Sequence, residues 1–134
     1  MVAGEVLGKI ESENLSVHVV WTPVLGPDNR HEATGARALL GDPRVKHYWD
    51  GERSLGMSYG RLVKLPGNRE LAWDIYFAFS REKEWTDRLP EPDAWAHQLG
   101  RDGRHLGDGA GLRAAVLELL VTAPKGAEAG AAVP

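Results

Sequence analysis

Two tryptophan–aspartate pairs, Trp49-Asp50 and Trp73-Asp74, are the first places in this chain where residue type suggests chemistry. A carboxylate held in an apolar strand is costly unless it is hydrogen-bonded or paired. In such a site its pKa rises and it can serve as a general acid or base. The competing expectation is structural: Asp50 caps the following helix, and Asp74 accepts bonds from a neighbouring Arg, Trp or Tyr. Structural partners perturb carboxylates as readily as catalytic settings do.

His97 lies in Trp95-Ala96-His97-Gln98 beside aromatic surface, within conceivable reach of Asp74 or Asp50. The structural expectation for it is a histidine that pins the C-terminal hook to the sheet. The other histidines, His18, His31, His47 and His105, are dispersed, and a metal site needs three or four converging ligands. No metal and no cofactor is therefore expected. Ser16, Ser54, Ser58, Ser80, Thr22, Thr34 and Thr86 have no G-x-S-x-G context. The glycine-rich run from Gly100 to Gly111 matches neither a Walker pattern nor a GxGxxG after a strand. Of the five tryptophans, Trp21, Trp49 and Trp73 fall on or beside strands and read as core. Trp85 and Trp95 fall in an irregular stretch, where they suit a pocket or partner surface. Trp49, Trp73, Trp85 and Trp95 are the candidate ligand-binding aromatics.

The elements that must position these groups follow from periodicity. Val2, Val6, Leu7 and Ile10 predict an amphipathic helix over residues 2–13, weakened by Gly4 and Gly8. Leu15 to Trp21 alternates as a strand, with Ser16, His18 and Val20 on one face. A turn follows, then a helix over residues 31–40 capped by Asp28 or Asn29. Arg44 to Trp49 predicts a short strand, and Glu52 to Lys64 a helix striped by Leu55, Tyr59, Leu62 and Val63. Leu71 to Phe79 predicts the longest strand, with both faces apolar or small, as for a central strand covered on both sides. Ser80 to Glu91 is polar, and residues 92–99 predict a short helical turn or an extended hook. Leu112, Ala115, Val116, Leu119 and Leu120 predict a last helix with Asp108 as its cap. Residues 122–134 are rich in Ala, Gly and Pro and predict a disordered tail. Strands alternating with helices imply a mostly parallel sheet within one α/β domain over residues 1–121.

The 134 residues suffice for one sizeable core. A net charge of −3 with scattered basic residues argues against nucleic-acid binding. The best basic run, Arg101, Arg104 and His105, is interrupted by Asp102 and Asp108. The absence of cysteine removes disulfides, thiol redox chemistry and thiolate zinc from this chain. No signal-peptide pattern and no membrane-length apolar run is present, so a cytoplasmic protein without membrane association is expected.

The strand Val17-His18-Val19-Val20-Trp21 with its following turn and Asp28, the strand Val45-Lys46-His47-Tyr48-Trp49-Asp50, Tyr59-Gly60, and the strand from Leu71 to Phe79 together resemble the later portion of a thioredoxin-like domain, of the peroxiredoxin and thiol-disulfide-reductase sort. The resemblance implies a three-layer domain whose mostly parallel central sheet is flanked by helices. It places the family's first strand and cysteine-bearing turn before Glu5. It departs from the family in lacking cysteine and in lacking a proline immediately before the late strand, since Pro66 stands five residues ahead of Leu71. A sheet without its first strand has an uncovered edge, and such edges pair with other chains. Three functional expectations follow. One is a non-redox domain that binds a protein partner, most simply itself as a homodimer. The second is an acid/base enzyme or small-ligand binder built on Asp74, Asp50 and His97. The third is a fragment of a longer thiol oxidoreductase with its cysteines upstream.

Overall fold

A computed structural model describes residues 2–100 and 102–122 of the chain. Of the expected disordered tail over residues 122–134, Thr122 instead closes the last helix, and the remainder lies outside the described residues, as does Arg101. The chain is a mixture of helices and strands, with β1 (Val17–Trp21), α1 (Arg30–Ala36), β2 (Val45–Trp49), α2 (Ser54–Val63), β3 (Ile75–Ala78), β4 (Ala94–His97) and α3 (Ala110–Thr122) in order. The N-terminal segment forms a single wide turn over Ala3–Leu7 rather than a helix reaching Glu13. Gly8 donates to the Ala3 carbonyl, and a side chain at position 8 would crowd the Gly4 carbonyl.

β1 and β2 pair in parallel, in register Val17–Val45 through Trp21–Trp49, with α1 as the crossover. Asn29 caps α1 by accepting from the His31 and Glu32 amides. Arg44, at the entry to β2, ties this ribbon to the N-terminal turn. Its guanidinium grips Asp42 and donates to the Leu7, Ile10 and Ser12 carbonyls.

β3 and β4 pair antiparallel, in register Ile75–His97 through Ala78–Ala94, as a separate two-stranded sheet. The expectation of a mostly parallel sheet thus holds for one pair and fails for the other. The long strand from Leu71 is shortened to four residues for two reasons. The Glu70–Ala72 segment lies across α2, where Ala72 donates to the Gly56 carbonyl. A Cβ at Gly60 would sit 1.7 Å from the Glu70 carbonyl oxygen, so only glycine admits this approach. Asp74 then turns the chain at a positive φ of 52°. Of residues 92–99, Ala94–His97 are extended as β4, so this stretch forms the hook rather than the helical turn.

The β3–β4 sheet is covered on both faces. Tyr76, Ala78, Ala94 and Ala96 pack toward a core of Val6, Ile10, Leu106 and Leu112, which joins α3 to the N-terminal turn. Phe77, on the other face, meets Tyr59 of α2 at a ring separation of 4.7 Å. Asp108 accepts from the Ala110 amide and starts α3.

Candidate functional site

The three candidate acid/base residues occupy three different settings. Asp50 follows β2, where its own amide donates to the Trp21 carbonyl. Its carboxylate accepts from the amides of Ser54, Leu55 and Gly56 at 2.9–3.1 Å. It therefore satisfies the free donors at the start of α2, and opposes the positive end of the helix dipole. Asp74 is exposed and lies outside any strand. Its carbonyl accepts from the Gln98 amide, so its backbone flanks the His97 end of the ladder.

His97 is the only fully buried polar side chain among the described residues. The Leu99 amide donates to Nδ1 at 3.1 Å, and Nε2 lies 2.9 and 3.1 Å from the two carboxylate oxygens of Asp102. An acceptor at Nδ1 and a carboxylate at Nε2 place the ring proton on Nε2. Asp102 also takes the Arg104 amide, and that bond, with the His97 contact, holds its carboxyl below the usual carboxylate range. Trp95 lies beside His97 at 5.9 Å, and His105 meets it edge-on at 6.4 Å. Both imidazole nitrogens are thus committed, and the residue pins the loop after β4 to the sheet. The partner is Asp102 rather than Asp74 or Asp50. No pattern in the sequence distinguishes these carboxylates, because the loop after β4 brings Asp102 back.

The tryptophans are also dispersed. Trp49 is half-buried, and its indole nitrogen lies against Gly51. Trp73 is 38% exposed. Trp95 carries the Arg104 guanidinium over its ring at 4.5 Å. Trp85 is 55% exposed and packs edge-on to Phe79 and against Tyr59. Burial pushes the Tyr59 hydroxyl up to about 12, and that hydroxyl donates to the Pro90 carbonyl. The two best-formed concavities among the described residues, of about 200 and 240 Å³, lie beside α3 and beside the N-terminal turn. Neither is lined by any of these residues, and both fall below the size usual for a small-molecule site.

The residues missed by sequence reasoning lie on the β1–β2 ribbon. His18 stacks on Tyr48, with Nδ1 3.0 Å from the Tyr48 hydroxyl and Nε2 3.2 Å from Ser16 Oγ. Burial, aided by Lys46, lowers the His18 pKa. Trp21 donates its indole N–H to His47 Nδ1 at 3.2 Å. The alternation of residues 15–21 places Ser16 and His18 on one face, but their partner Tyr48 emerges only from the register with β2.

The same ribbon exposes backbone. Val17 donates to the Arg44 carbonyl and the Trp21 carbonyl accepts from Asp50, so the odd-numbered residues of β1 face β2. His18 and Val20 consequently turn their amides and carbonyls outward, where no backbone partner meets them among the described residues. On the far edge of β2, the Val45 amide is already taken by the Asp42 carbonyl. Among the described residues no group of three or more His, Asp or Glu is arranged to hold a metal ion. No helix among them is long and apolar enough to cross a membrane. Comparison with known proteins gives no match to a family model, to a curated protein or to a solved structure.

Proposed function

We propose that this chain is a non-redox, thioredoxin-like module that works by self-association, through pairing of β1 with β1 of a second copy. The observation that carries this reading is the open β1 edge, with outward backbone groups at His18 and Val20. A two-stranded ribbon is marginal in water, and a third or fourth strand stabilises it. A two-fold axis at Val19 would set His18 opposite Val20 of the second copy, giving two reciprocal hydrogen-bonded pairs. Val20 and Tyr48 are 38% and 45% exposed and would gain cover on the adjoining face. The parallel β1–α1–β2 unit supports the thioredoxin-like part of the reading.

Light scattering across a concentration series tests it, on the native chain and on Val20→Pro. Proline removes an outward amide and leaves the β1–β2 ladder bonded. A concentration-dependent dimer that becomes monomeric in Val20→Pro, with unchanged far-ultraviolet circular dichroism, is expected. A native monomer up to roughly 300 μM, or a Val20→Pro dimer of equal strength, refutes it, since even small specific interfaces associate in that range.

A further inference from the structure

We infer that the Trp85 surface is a docking site for an arginine-bearing segment of another polypeptide. This rests on side chains remote from β1 and is independent of self-association.

The contrast between two tryptophans points to the guanidinium. Trp95 is covered by the molecule's own Arg104 at 4.5 Å. Trp85 is 55% exposed, and among the described residues no cation lies over it. A flat guanidinium stacks on an indole face better than an ammonium does. Trp85 is also fixed from below. Its ring meets Phe79 at 5.5 Å and Tyr59 at 5.7 Å, and Tyr59 is itself buried and bonded to Pro90. The two ends of its loop are joined by Asp93, which accepts from the Ser80 amide at 2.7 Å and pairs with Lys83 at 3.3 Å. An aromatic platform held in this way loses little conformational entropy on binding.

Charge supports the same partner. Glu82, Glu84, Asp87 and Glu91 are exposed and make no ion pair among the described residues. Lys83 is taken by Asp93, so only Arg81 and Arg88 oppose these four carboxylates. The stretch that flanks Trp85 in sequence therefore carries a net negative charge. A carboxylate beside an indole offers a guanidinium both its hydrogen-bonding edge and its flat face.

The test is a nuclear magnetic resonance titration of the full chain, following the five indole N–H signals. The probes are acetyl-(Gly-Arg)3-amide, its lysine analogue, and its citrulline analogue, which keeps the flat group without the charge. The arginine peptide is expected to move the Trp85 signal saturably, with millimolar or tighter affinity. The lysine peptide should bind several-fold more weakly, and the citrulline peptide should leave the signal unmoved. Trp85→Leu, followed by the backbone amide signals of residues 80–91, should weaken binding about threefold to fivefold. The combined Glu82→Gln, Glu84→Gln and Asp87→Asn variant keeps the aromatic packing and should weaken it about tenfold. No movement of the Trp85 signal at about 10 mM peptide overturns the inference. So does equal binding of the citrulline peptide, or unchanged affinity in the triple variant.

Discussion

Replacing His97 with alanine should be among the most damaging single changes in this chain. The side chain is fully buried and uses both ring nitrogens. Truncation first removes a packed ring next to Trp95 and His105. Large-to-alanine changes in cores cost about 2–5 kcal/mol, and a small polar ring belongs at the lower end, about 2. The buried Leu99 amide then loses its acceptor, which adds about 1 kcal/mol or more. Asp102 adds little, because it is 41% exposed and regains water. The sum is about 3 kcal/mol, equivalent to a fall in melting temperature of roughly 10 °C for a domain of this size. Urea unfolding followed by tryptophan fluorescence measures it, and an unchanged m-value shows that the two states keep their character. Asp102→Asn retains an acceptor for both His97 and the Arg104 amide, so its midpoint should move much less. A loss below about 0.5 kcal/mol in His97→Ala would refute the pinning role, since surface-like changes fall in that range.

Two further outcomes follow from the geometry. Gly60→Ala drives a Cβ into the Glu70 backbone, whereas Gly56→Ala meets chiefly the movable end of Leu71 at 2.7 Å. Thermal melts should therefore show the first losing about 1–3 kcal/mol or more, and the second clearly less. The Arg44 guanidinium holds Asp42 at about 2, below its ordinary 3.8. A depressed carboxylate stabilises the fold above its unfolded pKa, and that contribution fades as pH falls through the folded one. Melting temperature should thus drop between about pH 4 and 2, and Asp42→Asn should flatten that limb. An acid limb identical in Asp42→Asn and the native chain would contradict the assignment.

Several parts of the fold were legible because they depend on neighbours in sequence. The alternation of residues 15–21 and 44–49 marks β1 and β2. Asn29, Asp50 and Asp108 each stand where a helix start needs an acceptor, and each side chain accepts helix-start amides. The pairing partners were not legible. Residues 71–79 read as one strand with both faces apolar or small, yet the first four leave the ladder because Gly56 and Gly60 let that stretch lie on α2. The G-x-x-x-G spacing in α2 was the available signal. The His97 segment was singled out in the sequence, but its partner was chosen by the return of the chain after β4, where Leu106 donates to the His97 carbonyl.

What the sequence determined alone is therefore local and chemical: the strands and helices with strong periodicity, the caps, and the exclusion of thiol chemistry by the absence of cysteine. The tertiary structure decided which groups meet. It buried His97 against Asp102, left Asp74 in solvent, turned the His18 and Val20 backbone outward, and covered Trp95 while exposing Trp85. The physical reason is that alternation and capping act over a few residues. Strand register, helix approach and side-chain burial instead depend on contacts between segments far apart in the chain, whose energies are settled only when the core closes.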